Sequence, residues 1–318
     1  MKHSVCVYLG EELGRYHFGE LHPFGPQRFP AFAREFTLRQ LDSNVDVLAP
    51  VMCDEAELAL FHTSDYIARV RALSQTGAGV LDGGDTPAFV GMYDVTRYVV
   101  GTTLDGVRRI MRGDYRHAFT PIGGLHHASR QGAAGFCVFN DCGIAIEVLK
   151  REYGLQQIAY VDIDAHHGDG VFYGFEDDPA LCYVDFHEDG RYLYPGTGSL
   201  EETGTGAAVG LKLNIPMPMY ANDEMFMALW NKAEQFILKA APEFILLQCG
   251  ADSLKGDPIT HLHYSTAVHS HVTQRLCEIA RQLGHGRVMT MGGGGYELRN
   301  LSQAWCDVIE AMLLVKEA

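Results

Sequence analysis

The chain has 318 residues, 47% of them hydrophobic and 20% charged, with a formal net charge of −15. That much apolar residue supports a large buried core and excludes a disordered chain, while the acidic balance opposes direct nucleic-acid binding and favours a cationic substrate or partner. No stretch approaches the roughly 20 apolar residues that cross a bilayer, so no membrane partner is expected.

Residues 1–10 contain too short an apolar run for a signal peptide and predict a first strand at 5–9. Further strand-length apolar runs stand at 118–122, 158–163, 180–186, 211–215, 244–249 and 288–291. Between them, amphipathic periodicity predicts helices over 31–41, 64–73, 92–112, 142–153, 223–240, 266–283 and 301–315. The runs at 158–163 and 244–249 lack clean alternation, as strands buried on both faces do. Alternating strands and helices imply an α/β fold with a parallel sheet covered by helices. No repeat, low-complexity tract or Pro/Ser linker marks a boundary, so residues 1–318 are expected to form a single domain. The eight cysteines are scattered without a Cys-x-x-Cys pair. This pattern predicts reduced thiols in a cytoplasmic protein rather than disulfides or a zinc ribbon.

Glycine clusters at 123–124, 196–206 and 292–295 do not form a phosphate loop. None fits G-x-x-x-x-G-K-[ST], and Val209 holds the third glycine position after Gly204 and Gly206. Tight turns at strand ends account for them.

The run YVDIDAHHGD at 160–169 concentrates the chemistry. Side chains alternate along a strand, so Asp162, Asp164 and His166 are expected to project the same way. A carboxylate and an imidazole at i and i+2 make half of a divalent-metal site, at a strand end where function collects in parallel sheets. Asp252, in QCGADSLKGDP at 248–258, follows another apolar strand. Two carboxylates and one imidazole suit catalytic zinc with a position left for water. His126 and His127 are adjacent in GGLHHA at 123–128, and the spare acids Asp162 and Asp169 can each orient one imidazole. The GGGGY turn at 292–296 can aim Tyr296 at a substrate carbonyl. The paired histidines HLH at 261–263 and HSH at 269–271 have no acid or cysteine to complete a second metal set, and they predict a surface loop and a helix face.

These segments resemble the zinc-dependent histone deacetylase family, including its bacterial acetoin-utilisation-type members. The matching residues are His22-Pro23 with Arg28, GGLHHA at 123–128, GFCVFND at 135–141, DIDAHHGDG at 162–170, YPGTG at 194–198, GADSL at 250–254 and GGGGY at 292–296. They follow the family's order across nearly the whole chain. The resemblance implies the arginase–deacetylase fold, a single domain with a mostly parallel sheet of about eight strands flanked by helices. It implies one catalytic Zn2+, with Fe2+ as a substitute ion, on Asp164, His166 and Asp252. His127 would be the general base and acid, His126 an electrostatic partner, and Asp162 and Asp169 their supporting acids. Tyr296 would donate to the scissile carbonyl. Phe136 and Tyr194 would wall a tunnel for the acyl-lysine stem, with Gly135 at its base and Asp85 gripping substrate backbone at the rim. A structural K+ near the backbone of Asp164 and His166 is implied too.

Departures from related patterns refine these expectations. Arginase relatives hold two manganese ions with D-x-H-x-D and D-x-D-x-x-D-P, but this chain has Gly168 and Leu254 at two of those ligand positions. One metal is therefore expected. Polyamine deacetylases carry a gatekeeper Glu where this chain has Ile259, which favours acyl-lysine in a protein or peptide. Tyr194 stands where the family usually has Phe, and Asp185 where it commonly has Ser near the potassium. The expected activity is removal of acetyl or another short acyl group from lysine. A deacetylase of polyamines or other small N-acetyl amines and an idle acyl-lysine-binding module are the alternatives, and the sequence leaves the oligomeric state open.

Overall fold

The computed structural model describes residues 3–315. Eight parallel strands form one sheet: β1 (Val5–Tyr8), β2 (Asp46–Leu48), β3 (His117–Thr120), β4 (Ile158–Asp162), β5 (Leu181–Glu188), β6 (Lys212–Met217), β7 (Phe244–Gln248) and β8 (Val288–Met291). Their spatial order is β2-β1-β3-β8-β7-β4-β5-β6. The helices are α1 (Glu11–Gly14), α2 (Arg28–Leu38), α3 (Glu55–Leu58), α4 (Ser64–Thr76), α5 (Met92–Met111), α6 (Asp141–Arg151), α7 (Asp169–Gly174), α8 (Asp223–Ala240), α9 (Thr266–Gln282) and α10 (Leu298–Leu314).

The expected parallel α/β architecture is observed. Every residue of β1, β3, β4, β7 and β8 is buried, which is why these strands carry continuous apolar runs. Parallel neighbours need crossover connections, and the helices that make them lie in two layers. On one face α10 packs on α2 and α9, and α9 meets α8; on the other, α5 packs on α4 and α6. Helix starts are set by side-chain caps where the sequence supplies them: Asn140 accepts from the Gly143 N–H, Asn222 from Met225 and Ser265 from Ala267.

Two differences from the sequence reading have physical causes. Strand β2 went unpredicted because it is a three-residue edge strand without a buried run. Strand β5 extends to Glu188, beyond the predicted 186, because its polar end is fully buried and paired within the protein. Helix boundaries otherwise shift by one to three residues, as at α2, which starts at Arg28 and carries Pro30 in its first turn, where the missing N–H costs nothing.

Adjacent strands β3, β8, β7, β4 and β5 all end on the same edge of the sheet. Their five following loops carry the residues of interest: His126 and His127, Tyr296, Asp252, Asp164 with His166, and Tyr194, respectively. Residues 130 positions apart are thereby brought together by the Gly294 N–H to Asp164 hydrogen bond, and loops still farther apart by the Gly293 N–H to Gly123 carbonyl bond. Behind the loop after β8, Trp305 of α10 packs against Phe32 and Phe119 and donates from Nε1 to the Gly292 carbonyl at 2.9 Å. Trp305→Phe keeps most of the burial but strands that carbonyl. It should lower unfolding free energy by about 1–3 kcal/mol, measured by urea denaturation; unchanged stability would show that the bond carries no weight.

Candidate active site

The loop after β3 is fixed from below by α6. The buried Asp141 carboxylate accepts N–H bonds from Gly124 at 3.0 Å and Leu125 at 2.8 Å, and a hydroxyl from Thr103 at 2.7 Å. Asn140 donates to the carbonyls of His126 at 3.2 Å and Ala128 at 2.8 Å. This clamps the backbone of the two histidines from both ends. Neither supporting residue was singled out from sequence, although both belong to the GFCVFND segment.

Each histidine then has its own acid. His126 Nδ1 lies 2.8 Å from Asp162 and His127 Nδ1 lies 2.7 Å from Asp169. The two Nε2 atoms face each other at 3.1 Å, so one must donate and the other accept. The electrostatics decide which. Burial opposes a charge on His126, but Asp162 and Asp164 outweigh it and hold the imidazole up to about 10. Burial pushes Asp162 up to about 7, against the pull of the neighbouring His126. For His127, burial and the neighbouring His126 cation push the pKa down to about 4. At neutral pH the pair is therefore an imidazolium beside a neutral imidazole whose Nε2 is an acceptor.

Strand β4 ends at Asp162, and Asp164 and His166 lie in the turn beyond it rather than on the strand itself. Asp162 and Asp164 both approach the His126 ring, at 2.8 and 4.0 Å, while the turn brings His166 to Asp164. His166 Nδ1 is 3.1 Å from Asp164 Oδ1 and 3.2 Å from Asp252 Oδ2. Ligand atoms of Asp164, His166 and Asp252 all lie within 4.8 Å of one another, and all three residues are buried. Burial opposes their charges, yet the two carboxylates hold His166 up to about 10. A proton on that ring takes the place a cation would fill. Gly294 lies so close that a Cβ there would sit 2.1 Å from Asp252 Oδ2, and its N–H donates to Asp164 Oδ2 at 2.9 Å. Two acids, one imidazole and neighbouring backbone donors fit a single divalent ion with an open side.

A cavity of about 300 Å³ leads from the surface to these groups. His126, His127, Asp164 and His166 lie along it, with Tyr296, Gly135, Phe136, Tyr194, Ile259 and Asp85 completing the predicted lining. Asp162, Asp169 and Asp252 do not line it, and they sit behind the side chains they touch. Gly135 has φ +50°, and a Cβ there would lie 2.3 Å from the His127 ring. Phe136 also has a positive φ, 67°, a strained choice for an aromatic residue. Tyr16 Oη donating to the Phe136 carbonyl at 2.6 Å, and the Phe136 N–H donating to Thr86 at 3.1 Å, hold it there. The Phe136 ring meets the Tyr296 ring edge-on at 5.8 Å, and Tyr194 meets His127 at 5.2 Å. Burial, with Asp252 nearby, raises the Tyr296 phenol well above its ordinary value, so it keeps its proton.

Several supporting groups had no role, or a different one, in the sequence reading. Asp257 accepts the N–H of Tyr296 at 2.8 Å and of Ile259 at 3.1 Å, tying two cavity walls to one carboxylate. Buried Arg28 donates to the carbonyls of Gly295 at 2.8 Å and Gly293 at 2.7 Å. His269 is not on an exposed helix face as expected but fully buried, donating to the Gly250 carbonyl. Both oxygens of Asp185 are engaged within the protein. One oxygen pairs with His187 at 2.7 Å, and the other accepts from the Gly168 N–H at 2.9 Å and from Tyr183.

Comparison with known proteins identifies the family and the fold. Residues 22–312 match the histone deacetylase domain model. The acetoin utilization protein AcuC of Bacillus subtilis (strain 168) is 36% identical over 321 residues, covering 97% of this chain and 81% of that protein. The putative histone deacetylase 2 of Caenorhabditis elegans is 31% identical over 315 residues, covering 96% of this chain but only 60% of that protein. Among solved structures, the HDA15 HD domain superposes with a TM-score of 0.89 at 25% identity, covering 98% of this chain and 90% of that one. The chain is a member of the histone deacetylase family.

Proposed function

We propose that this protein is a metal-dependent amidohydrolase that removes acetyl or another short acyl group from the side-chain amine of lysine in proteins or peptides. The observation that carries the reading is the buried Asp164–His166–Asp252 cluster at the foot of a cavity that also holds the adjacent His126 and His127, each backed by its own acid. The names of the relatives, a histone deacetylase and an acetoin utilization protein, support it. The whole catalytic domain is proposed to lie within this chain. Its eight free, buried cysteines suit a reducing cytoplasm.

Asp164, His166 and Asp252 would hold the ion, for which Zn2+ suits the donor set and Fe2+ is a substitute. Such an ion supplies Lewis acidity, acidifying water and polarising the amide carbonyl. The protein's own groups then manage protons and position. His127 accepts a proton at Nε2 from the attacking water, which displaces the His126 N–H from that nitrogen's one lone pair, and returns it to the leaving lysine amine, while Asp169 fixes its ring. His126, charged and paired with Asp162, stabilises negative charge developing beside it. Tyr296 donates its phenolic hydrogen to the carbonyl oxygen as charge builds there. Phe136 and Tyr194 enclose the apolar lysine stem, Gly135 gives the His127 ring room, and Asp85 at the rim accepts substrate backbone N–H groups.

One metal rather than two follows from crowding at Gly168, where a dimetal site would need a ligand. A Cβ there would lie 2.8 Å from Asp162 and 3.2 Å from His126 Nδ1. Protein or peptide acyl-lysine is preferred over polyamines because Ile259 places an apolar side chain at the cavity wall, with no charge for a second ammonium.

Turnover of acetyl-lysine peptides by metal-loaded protein tests the proposal directly, and an inert protein would remove it. Tyr296→Phe should lower kcat by roughly 10²–10³, the range for one oxyanion donor; near-wild-type turnover would exclude Tyr296. Asp257→Ala, which frees the backbone of Tyr296 and Ile259, should lower kcat by up to ~10²-fold through misplacement. A folded variant with wild-type kcat would show that Asp257 gives no such support. Ile259→Glu should raise kcat/KM for acetylated polyamines relative to acetyl-lysine peptides by about tenfold, equal to about 1.4 kcal/mol of new charge pairing. An unchanged ratio would mean that residue 259 does not gate substrate choice.

A further inference from the structure

Gly250 is the hinge between β7 and the loop bearing Asp252, and it lies against the other acid of the cluster. A Cβ at this position would stand 2.0 Å from Asp164 Oδ2, so the peptide runs directly along that carboxylate. Both polar groups of Gly250 are held. Its N–H donates to Gln248 Oε1 at 2.7 Å, and its carbonyl accepts from His269 Nε2 at 2.9 Å.

Gln248 does more than cap this turn. It is the last residue of β7, fully buried, in register with Asp162 on β4 and Met291 on β8. With Oε1 engaged by Gly250, its amide Nε2 donates to Asp164 Oδ2 at 2.9 Å and to the Gly124 carbonyl at 3.2 Å. One primary amide thus joins Asp164, the Gly250 turn and the loop leading to the paired histidines. No other side chain of this size offers both an acceptor and two donors. A glutamate would set an anion against Asp164, and a methionine would fill the space and make neither bond.

His269 approaches from the opposite side, from the first turns of α9. Its partner is a carbonyl, so Nε2 carries the hydrogen; the ring is neutral, and burial lowers its pKa. Nδ1 is then a bare acceptor, buried without a partner among the described residues. An apolar side chain would avoid that unsatisfied atom, so the packing of α9 alone gives no reason for a histidine here.

We propose that Gln248 and His269 are positioning residues for the metal centre, clamping the Gly250 peptide from two sides so that Asp164 and Asp252 keep a fixed separation before any ion arrives. This rests on the reading of Asp164, His166 and Asp252 as the metal ligands. Two like charges held close repel until a cation joins them, and a clamp that resists their separation raises metal affinity.

The test is zinc affinity, measured by competition with a chromophoric chelator on metal-free full-length protein. The proteins are wild type, Asp252→Ala, Gln248→Met, Gln248→Glu, His269→Leu and His269→Gln. Melting of each metal-free form records any purely structural damage. Gln248→Met, Gln248→Glu and His269→Leu should bind zinc ~10–100-fold more weakly than wild type. His269→Gln, whose amide can reach the Gly250 carbonyl, should recover most of the loss. Variants that melt early yet bind zinc like wild type would overturn the proposal by reducing both residues to structural supports. His269→Gln binding as weakly as His269→Leu would overturn the role given to the Nε2 donor. If Gln248→Met does not fold, Gln248→Glu, which keeps the size and the Gly250 bond, decides the matter. Failure of the underlying ligand assignment looks different: wild type and Asp252→Ala would then bind zinc alike.

Discussion

Burying negative charge is the constraint on which the rest of this structure depends. Asp162, Asp164, Asp185 and Asp252 are each at most 1% exposed and crowd the ends of three adjacent strands. Carboxylates removed from water must be paired or neutralised. Asp162 has His126 and Asp185 has His187, each at hydrogen-bond distance. Asp164 and Asp252 share the single imidazole of His166, leaving one negative charge in excess. Burial with Asp164 alongside pushes Asp252 up, while His126 and His166 overcome burial to hold Asp164 well below the ordinary range. A divalent cation would resolve that imbalance, and His127 is held down first by its burial and then by the charge on its neighbour.

The same constraint explains which parts were legible in the sequence. Buried parallel strands need uninterrupted apolar runs, so seven of the strands announced themselves, and the half-exposed edge strand β2 did not. Asp164 and His166 were visible because their spacing is local. The histidine–acid pairs were also inferable, since two spare acids flank the metal pair and two histidines lack other partners. Asp252 stands 86 positions from His166, and only the order of motifs along the chain linked them. Gln248 and Asp257 went unread because amides and acids at loop ends are ordinary; their partners are distant backbone and carboxylate groups that no periodicity encodes. His269 carried a signal that was overlooked: it falls on the buried stripe of α9 with Val272, Thr273 and Leu276. A polar residue on an apolar stripe needs a partner, and here the partner is Gly250.

Cavity shape is imposed by backbone as much as by side chains. The consecutive positive φ values of Gly135 and Phe136 turn the Phe136 ring toward Tyr296 and His22 while making room for His127. Tyr194 is 46% exposed and so belongs to the mouth of the cavity. His22 Nε2 lies 3.0 Å from the Asp85 carbonyl and its ring meets Phe136, joining the rim to the wall. The cavity mouth is thus built from loops, and the charged centre lies at strand ends, where the sheet holds it rigid.

The account turns on one ion between Asp164, His166 and Asp252. The most direct measurement is acetyl-lysine peptide turnover as zinc is added back stepwise to chelated protein. Turnover should rise linearly and saturate at one equivalent per chain, with no such rise in Asp252→Ala. Saturation only at two equivalents, or full turnover in the chelated protein, would contradict it.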